Sequence, residues 1–258
     1  MTPNTVGIHS LPMTFAGHTA VVTGAASGIG AATARLLMSA GVRTVRLDVR
    51  TPEPDPAFGP EVQVCCAADV RDPGLAEVLS EHGVTQVSYL VNCAGVIEIT
   101  GFAGVTREQW QRCLEINLVG AYQVLDALTP ALRRSPAAAV VNIASIEGHR
   151  VVALTDPDPT PQYAASKAAL RMLTASAARA LAADGIRINS VSPGFTATPM
   201  AGIHGDTDRL PPSLAPRVPA GRFARPEEIA QAVAFLLSDQ ASYITGTDLR
   251  IDGGFELT

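Results

Sequence analysis

The chain has 258 residues, of which 47% are hydrophobic, 17% are charged and 5% are aromatic. These values exclude a disordered chain, and the length suits one large α/β domain with a single sizeable core. The formal net charge is -5, and the 19 Lys and Arg residues are scattered along the sequence. No basic stripe therefore predicts a nucleic-acid partner or attraction to an anionic membrane.

The N-terminal segment "MTPNTVGIHSLPMTF" lacks the basic region and apolar run of a secretory signal. No apolar stretch approaches the roughly 20 residues that a membrane helix needs. The four cysteines show neither CxxC spacing nor a zinc-like pattern with histidine. We therefore expect a flexible tail over residues 1–14, one domain over 15–258, free thiols, no metal, no membrane partner and a cytoplasmic location.

The first part of the domain is a βαβ pattern. "HTAVVTG" and "VRTVRLDVR" are β-rich runs, and "GAATARLLMSAG" between them has helical apolar spacing. Further runs, "EVQVCCAADV", "VSYLVNCAG", "AAAVVNIAS", "IRINSVSPG" and "DLRIDGG", alternate with helical stretches at 75–82, 108–128, 163–183 and 226–237. Nearly continuous apolar strands in this alternation predict an α/β fold, a doubly wound parallel sheet with helices on both faces.

Three irregular segments interrupt the pattern. Segments 51–61 and 155–162 are acidic and rich in proline, which predicts surface loops. Segment 194–221 follows a strand end, where α/β proteins bind their ligands, and we interpret it as a lid. A plain surface loop is the alternative.

The glycine-rich stretch "TGAASGIG", Thr23 to Gly30, lies between the first strand and the first helix. Gly24 permits a tight turn, while Gly28 and Gly30 allow close approach of a ligand and of the helix. Unpaired N–H groups and the helix dipole at such a point favour a phosphate. The GxxxGxG spacing differs from the GxGxxG fingerprint, so a tight turn without a ligand is the alternative.

Asp48 ends the second predicted strand, 18 residues after Gly30. An acid roughly 20 residues past the glycines typically bonds the adenosine ribose of NAD. Its carboxylate would repel the 2′-phosphate of NADP, and Ser27 in the turn supplies no compensating cation. The sequence therefore predicts NAD, with NADP as the alternative because Arg46 and Arg50 are close in sequence.

The motif "YAASK" places Tyr163 and Lys167 at positions i and i+4, on one helix face. A phenol is a poor base at neutral pH because its ordinary pKa is near 10. A neighbouring ammonium should lower that pKa and make Tyr163 a usable proton acceptor. An exposed helix pair without function is the alternative.

The motifs from residue 19 to 254 together resemble the short-chain dehydrogenase/reductase family. "TGAASGIG" resembles its TGxxxGxG cofactor turn, "NCAG" its NNAG strand end, and "SPGFTATPM" its PG motif beside the nicotinamide. "EINLVG", "NIAS" and "YAASK" place Asn117, Ser145, Tyr163 and Lys167 at the catalytic positions. Two departures are Cys93 within "NCAG" and a long interval of 18 residues between Ser145 and Tyr163.

The resemblance implies a Rossmann-type dehydrogenase that interconverts a secondary alcohol and a ketone by direct hydride transfer. Tyr163 would be the general base or acid, Ser145 would orient the substrate oxygen, Lys167 would hold the nicotinamide ribose, and Asn117 would anchor a water. The implied cofactor-binding residues are Gly24, Ser27, Gly28, Ile29, Gly30, Asp48, Asp69, Val70, Asn92, Ala94, Gly95, Tyr163, Lys167, Pro193, Gly194, Thr196 and Thr198.

The candidate substrate contacts follow Gly95 and Ser145 and lie in the predicted lid; they are Ile97, Glu147, Phe195 and Met200. Their mixed character predicts a small cyclic or polyoxygenated alcohol, with Glu147 either bonding a second polar group or lying at a solvent-facing rim. By resemblance, helices 108–128 and 163–183 and the strand near Leu249 would pair in a homotetramer. The alternatives are an NADPH-dependent carbonyl reductase and a non-catalytic dinucleotide-sensing scaffold.

Overall fold

The computed structural model describes residues 13–152, 160–202 and 209–258. Nearly all of the predicted tail, most of segment 155–162 and part of the predicted lid lie outside these ranges. The described residues form a parallel sheet of β1 Thr19–Thr23, β2 Arg43–Asp48, β3 Gln63–Ala67, β4 Tyr89–Asn92, β5 Ala139–Ile143, β6 Arg187–Pro193 and β7 Asp248–Ile251. The sheet order is β3-β2-β1-β4-β5-β6-β7, which confirms the predicted doubly wound sheet.

The chain direction across the sheet changes at β1, which pairs with β2 on one side and β4 on the other. Connections that leave β1 and β4 therefore turn to opposite faces and open a crevice at the carboxyl ends of these strands. Ligands of doubly wound sheets bind at such a switch point. The glycine turn after β1 and the "NCAG" segment after β4 meet there.

Helices cover both faces of the sheet. They are α1 Gly28–Ser39, α2 Leu75–Glu81, α3 Arg107–Leu114, α4 Ala121–Leu132, α5 Pro161–Leu181 and α6 Pro226–Leu237. Residues of α1 and α6 pack in one apolar core, and residues of α2, α4 and α5 pack in the other. Strand residues such as Val21 and Val22 point alternately into these two cores, which explains why β1, β4 and β5 are largely apolar on both faces. Within the described ranges, no helix is long and apolar enough to cross a membrane.

The helix predicted over 108–128 is confirmed, although its middle turn is π-helical and not α-helical. Between α3 and α4 the chain forms a π-helical turn, Glu115–Gly120, which contains Asn117. Gly120 packs against Val70 so closely that an added Cβ would lie 2.6 Å from Val70 Cγ2. Such turns often occur at functional sites, because they redirect a side chain without ending the helix.

A third apolar cluster lies beside the carboxyl edge of the sheet. It joins Ile146 and Val152, which follow β5, to Leu214 and Val218 of the predicted lid and to Phe255 near the C-terminus. Phe255 is fully buried there. The described part of segment 194–221 is therefore packed against the body of the protein and is more than a solvated surface loop.

Candidate active site

Two glycines bring the turn after β1 into contact with neighbouring backbone. Gly24 has φ +66°, and a Cβ added there would lie 2.8 Å from the backbone nitrogen of Ala94. A Cβ on Gly30 would collide with the carbonyl oxygen of Gly24. Only glycine satisfies both positions, so the α1 N-terminus is held directly above the ends of β1 and β4.

The N-terminus of α1 is arranged to receive an anion. Ser27 occupies the N-cap, yet among the described residues no side-chain hydrogen bond caps the helix, and its first turn carries no acidic residue. The first N–H groups of a helix lack intrahelical partners, and the dipole favours negative charge at that end. Ser27, Gly28 and Ile29 therefore border a position suited to a pyrophosphate.

Asp48 lies at the end of β2, next to the same turn. Its Oδ2 accepts a hydrogen bond from the backbone N–H of Ala26 at 3.1 Å. Arg46 lies below it, only 7% exposed, and donates from Nη1 to Glu53 O at 2.6 Å and from Nη2 to Ala25 O at 3.4 Å. The carboxylate of Asp48 thus borders the crevice, while the Arg46 guanidinium is turned beneath the backbone.

A groove of about 470 Å³ runs beside α1, lined by residues that include Gly28, Arg35, Arg46, Asp55 and Pro199. Arg35 forms an ion pair with Asp55 at 2.6 Å. The Nε of Arg46 is buried without a hydrogen-bond partner among the described residues. This groove continues the space around the first turn of α1.

Thr23, which the sequence analysis did not select, ties the strand ends together. Its Oγ1 accepts hydrogen bonds from the backbone N–H groups of Cys93 at 3.0 Å and Ala94 at 3.1 Å. The signal for it was its place directly before the first glycine of the turn. The backbone of the "NCAG" segment is therefore fixed relative to β1.

The side chain of Asn92 has structural partners. It donates to Ala121 O at 3.2 Å and to Asn142 Oδ1 at 2.9 Å, and Asn142 in turn donates to Thr174 Oγ1 at 2.8 Å. This buried chain of amides connects β4 and β5 to α4 and α5. The Oδ1 of Asn92 is buried without a hydrogen-bond partner among the described residues, and Asn142 and Thr174 are supporting residues that sequence reasoning missed.

The remaining predicted cofactor residues surround the crevice at other strand ends. Asp69 pairs with Arg71 at 2.6 Å, a contact that lowers the pKa of Asp69. Gly194, after Pro193 at the end of β6, packs against Asp252, where an added Cβ would lie 2.8 Å from Cα. Thr196 donates to Gly194 O at 3.2 Å, and Thr198 has its methyl group beside Gly28.

Ser145 and Tyr163 come together despite the long interval between them. Ser145 follows β5, Tyr163 and Lys167 lie on α5, and the Ser145 side chain is close enough to Tyr163 to act on the pKa of its phenol. Gly148 allows this approach, because a Cβ there would lie 2.8 Å from the backbone carbon of Lys167. The turn after Ser145 is thus pressed directly against the backbone of α5.

Lys167 is buried, and its Nζ donates to Ile143 O at 2.8 Å and lies 5.6 Å from the centre of the Tyr163 ring. Burial lowers the pKa of Lys167 to about 8, partly offset by Cys93 and Cys113. The pKa of Tyr163 is strongly raised, first by burial and then by the charge of Glu147, while the Ser145 hydroxyl opposes this. The expected lowering of the Tyr163 pKa by Lys167 is therefore wrong here, because desolvation of the phenolate dominates.

The side chain of Asn117 holds the segment after β4. Its Oδ1 accepts from Val96 N at 2.8 Å, and its Nδ2 donates to Val96 O and to Ser166 Oγ, both at 3.0 Å. A Cβ on Gly95 would lie 3.3 Å from Asn117 Oδ1 and 3.5 Å from Lys167 Nζ. Gly95, Asn117 and Lys167 therefore meet at the floor of the crevice.

The predicted substrate residues differ in their environments. Glu147 lies in the turn after Ser145, and its Oε2 accepts from Thr160 Oγ1 at 2.7 Å. Ile97 is partly buried and Met200 is exposed. Phe195 belongs to the third apolar cluster, edge-on to Phe255 with ring centres 5.3 Å apart. Of the four, Glu147 lies nearest in sequence to Ser145, and its charge raises the pKa of Tyr163.

These features fit a dinucleotide. The glycines at positions 24, 28, 30 and 95 keep the crevice floor free of side chains, and the uncapped start of α1 offers N–H groups to a pyrophosphate. Asp48 lies at one end of the crevice, and Ser145, Tyr163 and Lys167 lie at the other. In residues 13–152, 160–202 and 209–258, no three His, Cys, Asp or Glu side chains are grouped as metal ligands.

Comparison with known proteins identifies the family. A family model described as enoyl-(acyl carrier protein) reductase matches residues 24–256. An uncharacterized short-chain type dehydrogenase/reductase of Sinorhizobium fredii is 41% identical over 93% of this chain. The chain belongs to the short-chain dehydrogenase/reductase family. It spans 44% of the length of that relative.

Other relatives of this short-chain dehydrogenase/reductase match over nearly their full length. The cis-4-hydroxycyclohexanecarboxylate dehydrogenase of Sinomonas cyclohexanicum is 40% identical, covering 93% of this chain and 97% of the relative. The galactitol 2-dehydrogenase of Cereibacter sphaeroides is 34% identical, covering 93% of this chain and 95% of the relative. A short-chain type dehydrogenase/reductase structure from Mycobacterium marinum superposes with a TM-score of 0.81 at 28% identity, covering 95% of this chain and 98% of that one. The protein is therefore an oxidoreductase of this family.

Proposed function

We propose that the protein is an NAD-dependent dehydrogenase that interconverts a small secondary alcohol and its ketone. The observation that carries the proposal is the buried group of Ser145, Tyr163 and Lys167, which stands beside the open floor at Gly95. A base, an oxygen-orienting hydroxyl and a cation next to a dinucleotide crevice are the parts that such a reaction needs.

In this proposal the residues of the chain hold the substrate and move its proton. The nicotinamide, when bound, supplies the carbon that accepts or returns the hydride. Ser145 donates a hydrogen bond to the substrate oxygen, and Tyr163 takes the hydroxyl proton as the C–H bond breaks and the carbonyl forms. In the reverse direction, Tyr163 returns that proton to the carbonyl oxygen.

Lys167 and Asn117 would complete the proton path. A pKa of about 8 allows the Lys167 ammonium to exchange a proton close to neutral pH. Because the Asn117 amide is already bonded to Val96 and Ser166, its main-chain carbonyl is the group left to hold a relay water. Contact of the lysine with the nicotinamide ribose would draw Nζ away from Ile143 O.

Preference for NAD over NADP rests on the charges near the adenosine end. The Asp48 carboxylate would accept the ribose 2′-hydroxyl and repel a 2′-phosphate. Arg46 is committed to two backbone carbonyls, and Arg35 is paired with Asp55. The second candidate, an NADPH-dependent carbonyl reductase, is favoured by one observation, the presence of Arg35 and Arg46 among the residues that line the adjoining groove.

The substrate class is supported by names of relatives that refer to a hydroxylated ring and to a polyol. We therefore propose a small cyclic or polyoxygenated metabolite, and the described residues 194–202 and 209–221 are proposed to cover it as a lid. A homotetramer is also proposed, and the exposed Tyr122 on α4 and Met172 on α5 support it, since large apolar side chains on a helix face favour subunit contact. The cytoplasmic location stays a prediction.

The proposal is tested by NADH formation from NAD with a panel of cyclic and linear secondary alcohols and polyols. Tyr163→Phe should lower kcat by at least about 100-fold, because proton transfer contributes roughly that much or more. The matched control is Tyr243→Phe, since Tyr243 is fully exposed. Turnover that survives Tyr163→Phe would contradict the proposed base, and tight NADH binding without turnover of any alcohol would favour the non-catalytic sensor.

A further inference from the structure

Glu147 is held at a fixed place beside Ser145 and Tyr163. Its backbone N–H donates to Ser145 Oγ at 3.2 Å, so the chain folds back directly after the serine. Gly148 then packs against the backbone of Lys167 without room for a Cβ. Glu147 is therefore confined to the space between the serine turn and the start of α5.

The carboxylate of Glu147 is oriented by a buried hydroxyl. Thr160 is 3% exposed, and its Oγ1 donates to Glu147 Oε2 at 2.7 Å. Thr160 precedes α5 and stands three residues before Tyr163, so this bond draws the carboxylate toward the tyrosine. The same proximity is why the charge of Glu147 raises the pKa of Tyr163.

A substrate oxygen bonded to Ser145 and Tyr163 would place its neighbouring carbon substituents near this carboxylate. We propose, on the basis of the function proposed above, that Glu147 selects substrates by the group next to the reacting carbinol. It accepts a hydrogen bond from a neutral hydroxyl at that position and repels a carboxylate there. The substrate then carries a neutral hydroxyl on the carbon next to the carbinol, and an alcohol with a carboxylate on that carbon is rejected.

The test uses three alcohols that share a six-membered carbon ring. They are cyclohexanol, trans-cyclohexane-1,2-diol and 2-hydroxycyclohexane-1-carboxylate. With Glu147→Gln, kcat/KM should fall about tenfold for the diol and rise about tenfold for the carboxylate, since a charged hydrogen bond or a repulsion is worth about that factor. Cyclohexanol reports the change that all three share, including any change at Tyr163. The selectivity ratio of diol to carboxylate should therefore drop about 100-fold.

Glu77→Gln is the matched control, because Glu77 is exposed on α2 and its replacement should leave the ratio unchanged. If Glu147→Gln is unstable, Thr160→Val removes the hydroxyl that donates to the Glu147 carboxylate and should lower the same ratio at least threefold. A ratio that stays within twofold of wild type in a folded variant overturns the role of Glu147 alone. Failure of the wild-type enzyme to oxidise any alcohol of this set or of the wider panel overturns the proposed function itself.

Discussion

Lys167 carries its charge where the surroundings disfavour it. Burial lowers its pKa from 10.5 to about 8, so the folded state binds a proton less readily than the unfolded chain. This cost is fully present below pH 8 and fades as the pH rises toward 10.5. Lys167→Met should therefore raise the free energy of unfolding at pH 7 by about 1–3 kcal/mol. The same variant should abolish turnover, because the ammonium is lost.

Chemical denaturation of both proteins at neutral and at alkaline pH checks this expectation. The difference between the two proteins should shrink between pH 8 and pH 10.5. A variant that is less stable than wild type at pH 7 would mean that the bond from Nζ to Ile143 O outweighs the desolvation of the ammonium.

Asp48 is the residue on which we expect cofactor choice to depend. Asp48→Asn removes the charge but keeps an oxygen for the N–H of Ala26. The ratio of kcat/KM for NADP to that for NAD should rise at least tenfold, because the 2′-phosphate no longer meets a carboxylate. Asp184→Asn, at a surface pair with Arg133, is the control for loss of one negative charge. Equal ratios in the two variants would remove Asp48 from this role.

The turn after β5 and helix α5 act as one unit because Gly148 lets their backbones touch. In Gly148→Ala, a methyl group 2.8 Å from the Lys167 backbone would push Ser145 away from Tyr163. A small displacement of catalytic groups costs about 100-fold in rate, so kcat should fall by 10- to 100-fold while NADH affinity changes little. Gly104→Ala is the matched control, since nothing lies within 4 Å of its added Cβ. A similar kcat in both variants would contradict the coupling.

The strands and most helices were predictable because apolar runs and helical spacing record burial directly. The π-helical turn was not, because "EINLVG" has the pattern of an ordinary helix, and the close packing of Gly120 against the distant Val70 arises only in the folded chain. Thr23 and Asn142 were missed for a similar reason. They position backbone and amide groups across strands, and only the three-dimensional register brings their partners together.

The proposed tetramer predicts that apolar side chains exposed on α4 and α5 are covered by another subunit. Met172 is 72% exposed in the single chain. Met172→Lys would bury a charge in that contact, so the assembly should dissociate into smaller species. Sedimentation velocity of this variant measures the effect. Glu77→Lys, at an exposed position of α2, is the control. An unchanged assembly in Met172→Lys would place the subunit contact elsewhere.

In the proposed function, the third apolar cluster makes the last residues of the chain part of the substrate side of the molecule. Phe255 supports Phe195 of the lid and lies under the guanidinium groups of Arg150 and Arg217, at 5.6 and 4.6 Å from its ring centre. A mutation among the final residues can therefore reshape the pocket wall while the proton-transfer residues and the glycine turn stay intact. In the proposed function, this separation gives the enzyme an evolutionary route to new substrates. Substitutions among its C-terminal residues can change the pocket wall and leave the reacting groups in place.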